Sequence, residues 1–271
     1  MDDAGRLRAL HKTPPILVIP NAWDAASARV FEAEGFAAIA TTSAGVAAAL
    51  GYPDGGAVPA REMIEAVSRI SRAVKVPVSA DIEHAYGETP DAVADVVLRV
   101  IAAGAVGINL EDILPGAADL EPIALQVDKI HAIIKASKTA GVRVVINART
   151  DVFLKALGPS DARLGVAIER GRAFLAAGAD CVFVPGVRER ETISELVRGI
   201  GGPINILAVD GTPPIAELEA LGVARVSVGS GPMRATLALV RTMARELKAS
   251  GTYKTFTATA MPYTDVNELM K

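Results

Sequence analysis

The sequence predicts a single-domain α/β fold, a (β/α)8 TIM barrel, and three observations support this fold class. Short apolar runs alternate with longer amphipathic stretches along the whole chain of 271 residues, as expected for β/α units around a parallel sheet. Several amphipathic stretches end in glycine and are followed by a new apolar run, because glycine accepts the left-handed conformation that ends many helices. Eight apolar runs can be counted, and eight strands favour closure into a barrel over an open sheet.

The predicted strands are short and rich in Val, Ile and Ala. They cover Ile16–Ile19, Ala37–Thr41, Val76–Ala80, Gly107–Leu110, Arg143–Asn147, Cys181–Val184, Asn205–Val209 and Arg225–Val228. The predicted helices contain good helix formers with apolar residues at helical spacing. They cover Trp23–Glu34, Arg61–Ala73, Asp91–Ala103, Leu125–Ala140, Arg163–Ala177, Glu191–Gly199, Ile215–Leu221 and Pro232–Ala249. The glycines that follow helices are Gly104, Gly141, Gly178 and Gly222.

One domain accounts for nearly the whole chain, since no linker rich in Pro, Ser and Gly divides it. We predict a catalytic barrel over residues 1–249 and a C-terminal extension over residues 250–271. A neighbouring subunit is the expected partner of this extension.

Composition excludes several classes of partner. The net charge is −3 and no basic stripe is visible, which argues against nucleic-acid binding. No run of apolar residues is long enough to span a membrane. The acidic start Met1-Asp2-Asp3 lacks a signal-peptide pattern, so a cytoplasmic location is expected. Cys181 is the only cysteine, which excludes an internal disulfide and is typical of a buried strand thiol.

Acidic side chains follow the predicted strands at the end where barrel enzymes carry their chemistry. Asp81 and Glu83 alternate along one extended segment, so both point the same way. Glu111 follows the next strand, and Asp54 lies in the loop after the second strand. Carboxylates that converge on one mouth repel each other unless a cation lies between them. Mg²⁺, with Mn²⁺ as the alternative, prefers such oxygen ligands, whereas the His and Cys spacing of a zinc site is absent from the sequence.

Ordinary structural roles remain open for these acids. Any of them could be a helix cap or a solvent-facing loop residue, and Pro53-Asp54-Gly55 is also a common turn.

A second group of residues predicts a site for a small carboxylic acid. Arg149 is the candidate for a bidentate contact with a substrate carboxylate, and an ion pair with Asp151 or Glu111 is its alternative role. The backbone N–H groups of Ser43-Ala44-Gly45 could hold a carboxylate or an oxyanion, although a plain tight turn fits as well.

Three further residues complete the candidate site. Asn205 begins the seventh predicted strand, and Arg234 lies one turn into the helix that Gly229-Ser230-Gly231 opens, where barrels often bind anions. His84 is the histidine next to the predicted mouth of the barrel. It could act as an acid, as a base or as a substrate ligand, or it could take no part in the chemistry.

Taken together, several motifs resemble the isocitrate lyase/phosphoenolpyruvate mutase superfamily, and the resemblance extends over roughly residues 10–249. The motifs are Ser43-Ala44-Gly45, Tyr52-Pro53-Asp54, Asp81-Ile82-Glu83, Asn109-Leu110-Glu111-Asp112 and Asn147-Ala148-Arg149-Thr150-Asp151.

The resemblance implies specific roles. It implies that Asp81 ligates Mg²⁺ directly, while Asp54, Glu83 and Glu111 reach the ion mostly through water. It also implies that Arg149 and the Ser43–Gly45 backbone bind the substrate. Finally, it implies a homo-oligomer, a dimer of dimers that exchanges its eighth helix between subunits.

This sequence departs from the superfamily pattern at the loop after the fourth predicted strand. Lyases of the superfamily carry Lys, Cys and His in that loop, and phosphonate-processing relatives carry Lys with Asn or Thr; residues 113–121 contain none of these. Ala85 stands where Gly is usual, and Val184-Pro185-Gly186 stands where relatives have Glu or His. The residue that sets the reaction type is therefore not assigned.

Three functions follow from these residues. The first is a Mg²⁺-dependent carbon–carbon lyase or decarboxylase that acts on a small 2-hydroxy or 2-oxo di- or tricarboxylic acid through an enolate, with Arg149, Glu111 and His84 as catalytic candidates. The second is a phosphonopyruvate-type mutase or hydrolase. The third is a non-catalytic binding protein on the same scaffold. A Schiff-base aldolase is excluded because no predicted strand ends in lysine.

Overall fold

Parallel strands form one continuous sheet in the computed structural model, which describes residues 2–12 and 14–271. The strands of this part of the chain are β1 (Leu17–Ile19), β2 (Asn21–Ala22), β3 (Ile39–Thr41), β4 (Val78–Asp81), β5 (Gly107–Glu111), β6 (Val145–Arg149), β7 (Cys181–Phe183), β8 (Ile204–Leu207) and β9 (Arg225–Ser227). Their order in the sheet is β1-β9-β8-β7-β6-β5-β4-β3-β2, so both ends of the sheet belong to one short stretch of chain. The predicted barrel is confirmed.

The first barrel position differs from the prediction, because two short strands occupy it. Leu17–Ile19 pairs with β9, whereas Asn21–Ala22 pairs with β3. Pro20 lies between them and has no N–H to donate, so it interrupts the ladder there. Its carbonyl still accepts a hydrogen bond from Ala40 at 2.8 Å.

The predicted helices are confirmed to within about two residues at each end, the usual uncertainty of helix limits. The structure adds four helices that the sequence analysis did not separate: one before the first strand, one after β3 and two at the C-terminus. The helices are α1 (Asp3–Ala9), α2 (Ala25–Ala33), α3 (Ser43–Leu50), α4 (Ala60–Ala73), α5 (Pro90–Ala102), α6 (Ile123–Thr139), α7 (Arg163–Ala176), α8 (Arg190–Ile200), α9 (Ile215–Ala220), α10 (Gly231–Ser250), α11 (Lys254–Thr259) and α12 (Tyr263–Leu269).

Hydrophobic packing lies mainly between the sheet and the surrounding helices. One cluster joins α4 and α5 to β4 and β5 through residues such as Val67, Val97 and Ile108, and a second cluster covers β7 to β9. At the amino-terminal end of the barrel, α1 inserts Leu7 against the strands. A Cβ on Gly107 would lie 2.7 Å from Leu7 Cδ2, so glycine is what allows α1 to approach this closely.

The C-terminal helices contribute little to this core. α10 has one buried residue, Met233, and α11 and α12 have none among their described side chains. Within the described residues, no helix has the length and apolar character needed to cross a membrane.

Candidate active site

A cavity of about 220 Å³ opens at the carboxyl ends of the strands and extends down into the barrel. Most of the residues that line it have polar side chains, and a second pocket adjoins it under the loop that follows β5. The two pockets share Ser43, Asp54, Arg149 and Leu154. The first cavity also contains Ala44, Asp81 and Asn205, and the second contains Glu83, His84 and Glu111. The structure therefore brings most of the predicted site residues together.

Asp81 is held rigidly at the end of β4. Its Oδ2 accepts a hydrogen bond from the Ser43 N–H at 2.9 Å, and its Oδ1 accepts one from Asn109 Nδ2 at 2.9 Å. Its own N–H donates to Thr41 Oγ1 at 2.8 Å. Each carboxylate oxygen keeps a second lone pair for a further partner.

Glu83 is buried and strained. It has a positive φ of 54°, in the left-handed region that side chains with a Cβ rarely adopt. Neither of its carboxylate oxygens has a hydrogen bond of normal geometry in the described part of the chain, although the Gly56 N–H interacts with the carboxylate and lowers its pKa. Burial raises the pKa of Glu83, and the charges of Asp81 and Asp54 raise it further. Buried carboxylate oxygens without a partner are costly, so this side chain is set up to meet a cation or a donor that the chain itself does not supply.

Glu111 and Arg149 lie on adjacent strands and form an ion pair. Arg149 Nη1 is 2.6 Å from Glu111 Oε1, and its Nε and Nη2 bind Asp151 at 2.5 and 3.0 Å. Arg149 therefore forms the ion pair that the sequence left open as its alternative role, and it does so with both Glu111 and Asp151. Burial raises the pKa of Glu111, and Asp81 and Asp151 add to this effect against the opposing charge of Arg149.

The acids fit a hydrated divalent cation better than a closed protein cage. In the described residues, no three His, Cys, Asp or Glu side chains are already grouped as a metal site. However, Mg²⁺ commonly takes one or two carboxylates directly and keeps several waters. The fixed Asp81 and the unpartnered oxygens of Glu83 suit such an ion, with Glu111 and the exposed Asp54 within the same pair of pockets.

The predicted turn at Ser43–Gly45 is the first turn of α3, capped by Thr42. Its N–H groups are only partly free, because Ser43 N–H donates to Asp81 and Gly45 N–H to Thr42 Oγ1. Ala44 lines the cavity, and no hydrogen bond of its N–H occurs among the described residues. A helix N-terminus of this kind favours a carboxylate or an oxyanion.

The remaining predicted residues have different surroundings. Asn205 is buried in the cavity and donates to Ser227 Oγ at 3.1 Å. Arg234 is exposed and lines neither pocket. His84 lines the second pocket beside Tyr86, and burial lowers its pKa.

Polar residues inside the barrel were missed by the sequence analysis as site residues. Several of them lie two residues from a predicted site residue on the same strand, as Asn109 does from Glu111 and Asn147 from Arg149. Because side chains two apart on a strand share a face, this spacing could have identified them. The missed residues that line the cavity are Asn21, Thr41, Ser79, Asn109, Asn147, Arg225 and Ser227.

Comparison with known proteins gives consistent matches along the chain. The sequence model of the family described as phosphoenolpyruvate phosphomutase matches residues 7–248. An uncharacterised protein of Mycobacterium tuberculosis is 41% identical over 228 residues, which cover 84% of this chain and 83% of that protein. The oxaloacetate decarboxylase of Rhodopseudomonas palustris is 30% identical over 253 residues, which cover 89% of this chain and 84% of that enzyme. A solved structure of oxaloacetate acetylhydrolase with the product oxalate superposes with a TM-score of 0.87 at 26% identity, covering 99% of this chain and 93% of that chain.

Proposed function

Because this chain belongs to the phosphoenolpyruvate mutase/isocitrate lyase superfamily of lyases and mutases, we propose that it is a Mg²⁺-dependent lyase or decarboxylase of a small 2-oxo or 2-hydroxy acid with at least two carboxylates. One observation carries the proposal: buried and partly unpartnered carboxylates surround the cavity where the superfamily's chemistry would take place. Mn²⁺ is the alternative ion.

The chain's own residues would divide the work. Asp81 would hold the ion directly, with Asp54, Glu83 and Glu111 reaching it mostly through water. The ion would supply Lewis-acid stabilisation of the negative charge that develops on the substrate's 2-oxygen. The Ala44 N–H at the start of α3 would stabilise the same charge or the adjacent carboxylate.

Proton transfer decides which reaction the site performs. Cleavage of a 2-hydroxy acid requires a base for the hydroxyl proton, and Glu111, whose pKa burial raises, and His84 are the candidates. Decarboxylation of a 2-oxo diacid requires no such base: the bond to the departing CO₂ breaks, its electron pair forms the enolate, and water protonates the enolate to give the 2-oxo monoacid. The loop over residues 113–121 contains no Cys, Lys or His to act as an acid, which favours decarboxylation.

The test is a screen of C4–C7 di- and tricarboxylic acids with Mg²⁺, in which pyruvate, glyoxylate and CO₂ are measured. We expect turnover of at least one acid, its loss with EDTA and its return with added Mg²⁺. Asp81→Asn should abolish both turnover and Mg²⁺ binding, whereas Asp119→Asn, which removes the same charge from the exposed loop nearby, should leave both intact. Mg²⁺ affinity that is unchanged in Asp81→Asn would overturn the metal assignment.

The alternatives give other outcomes in the same experiment. A phosphonopyruvate mutase or hydrolase would consume phosphonopyruvate in a phosphorus NMR assay; the carboxylates that already neutralise Arg149 count against it, because they weaken the cation at the rim that would bind the phosphonate. A non-catalytic binding protein would turn over no acid in the screen while still binding one of them.

A further inference from the structure

Arg225, the first residue of β9, lies at the inner end of the active-site cavity and forms no ion pair with the described residues. Burial lowers its pKa to about 10, and only the more distant Cys181 and Asp81 act in the opposite direction. It is 2% exposed and lines the cavity together with Asn205 and Ser227. Other cations in the interior are neutralised by carboxylates. Lys129 contacts Glu121, Arg149 contacts Glu111 and Asp151, and Arg170 contacts Asp112. Among the described residues, no ion pair includes Arg225.

The hydrogen bonds of Arg225 are also incomplete. Its Nη1 lies 3.5 Å from His11 Nε2, the long limit for such a bond, and its Nε has no partner in residues 2–12 and 14–271. His11 Nδ1 is 2.8 Å from the Leu7 carbonyl, so it carries the ring proton and Nε2 is the acceptor. This histidine is therefore neutral and supplies no negative charge. A guanidinium buried in this way is unfavourable unless an anion joins it.

The surroundings of Arg225 indicate which anion fits. Neutral amides and hydroxyls, including Asn109, Asn147 and Asn205, line the cavity between Arg225 and the carboxylates of the proposed metal site. An anion that reaches both ends must carry one negative group near Asp81 and another group near Arg225. Arg149 is less suited to the second group, because Glu111 and Asp151 already neutralise it.

We propose that Arg225 forms a carboxylate subsite at the inner end of the cavity and receives the second carboxylate of the substrate. The ligand class is then a small dicarboxylate with a 2-oxo or 2-hydroxy group, such as a four-carbon acid. The placement of its first carboxylate rests on the proposed function, whereas the subsite itself rests on the burial and missing partners of Arg225.

Malate and lactate form a matched pair for the test, because they differ only in the second carboxylate. Calorimetric titration of the full chain with each acid, in the presence of Mg²⁺, should show that malate binds more tightly by roughly tenfold to a hundredfold, the range of a charged hydrogen-bonded contact. Arg225→Gln should reduce this ratio to near one and leave lactate affinity unchanged. Arg198→Gln, which removes one charge from the exposed surface of α8, should keep the wild-type ratio.

A second variant keeps the test decisive if Arg225→Gln does not fold, as circular dichroism would reveal. Residues 225 and 227 alternate on one strand and both line the cavity, so Ser227→Asp places an internal carboxylate beside the arginine. We expect Ser227→Asp to lose the preference for malate without losing the fold. Equal binding of malate and lactate to the wild type, or a preference that survives in either folded variant, overturns the subsite. Absence of turnover with an intact, Arg225-dependent preference overturns the proposed function alone.

Discussion

At the scale of single residues, Arg149 has the ion-pairing role that was one of its two predicted roles. Its guanidinium lies between two carboxylates, Glu111 and Asp151, and its centre is 5.7 Å from the Phe183 ring. Such an arginine fixes its neighbours in place as much as it binds a ligand. The ion pairs of Arg149 are therefore part of the structure of the site. Experiments must separate their contribution to stability from any contribution of Arg149 to substrate binding.

We expect Arg149→Ala to lower the free energy of unfolding by about 3–5 kcal/mol, because it leaves two buried carboxylates without a cation. Arg149→Lys keeps the charge but loses the planar fork, so it should recover most of the stability and little of the substrate affinity. Urea unfolding and the KM of the best acid from the screen measure the two effects. An Arg149→Ala protein as stable as the wild type would show that Glu111 and Asp151 do not depend on this cation.

His11 makes stability depend on pH. Burial, and then the charge of Arg225, lowers the pKa of His11 from 6.5 to about 4. Protonation is thus disfavoured in the folded state, so the contribution of His11 is complete above pH 6.5 and is lost as the pH falls towards 4. The loss amounts to about 3 kcal/mol at most. Urea unfolding at several pH values should show that the free energy of unfolding declines more steeply with falling pH in the wild type than in His11→Gln. The same pH dependence of that free energy in both proteins would contradict the role of His11.

At the scale of elements, the start of α3 connects the backbone to the proposed metal site. The Ser43 N–H holds Asp81, and the position of that N–H depends on the close approach of Gly45 to neighbouring side chains. A Cβ on Gly45 would lie 2.5 Å from Thr42 Cγ2 and 2.8 Å from Trp23 Cβ. These distances are too short for any side chain, so only glycine keeps α3 in this place.

Gly45→Ala should therefore shift the start of α3 and lower stability by about 1–3 kcal/mol, the usual cost of overpacking. Because Asp81 would lose its Ser43 contact, Mg²⁺ affinity should fall as well. Gly165→Ala is the matched control: it lies in α7 with no atom within 4 Å of the added methyl group, and it should raise stability by about 0.5–1 kcal/mol. Thermal unfolding and Mg²⁺ titration of both variants measure these effects. Equal stability and equal Mg²⁺ affinity in the two variants would contradict the steric role of Gly45.

Sequence patterns predicted the barrel well, because short apolar runs and the glycines that follow several helices are local signals. All four glycines singled out after helices have positive φ, as expected: Gly104, Gly141, Gly178 and Gly222. The split of the first strand at Pro20 and the helical state of residues 43–50 were missed, since the first depends on pairing with two different strands and the second is an Ala-rich run too short to show amphipathic spacing.

The site was predicted less completely, because side-chain pairing is not encoded locally. The sequence placed Asp81, Glu83 and Glu111 at one rim, and the structure gives them neighbouring pockets. The ion pair of Arg149 with Glu111 joins two strands, and the neighbour of Arg225 is His11 from the start of the chain, so local sequence shows neither contact. The sequence shows that these residues are charged, but only the fold shows which charges are neutralised.

At the scale of the whole molecule, the C-terminal helices expose apolar side chains. Leu237, Val240 and Leu247 of α10 are 53%, 52% and 48% exposed, and Tyr263 of α12 is 84% exposed. An apolar helix surface of this kind is typical of a protein interface. It agrees with the expected exchange of the eighth helix between subunits, which corresponds to α10.

We expect light scattering to show four copies of the wild-type chain, arranged as a dimer of dimers. Leu237→Glu with Val240→Glu places two charges on the apolar face of α10, so the measured mass should fall by at least half at micromolar concentration. Thr242→Glu adds a charge on the other side of the same helix and should leave the mass unchanged. A monomeric wild type would contradict the assembly, and a double variant that keeps four copies would show that this face of α10 is not the interface.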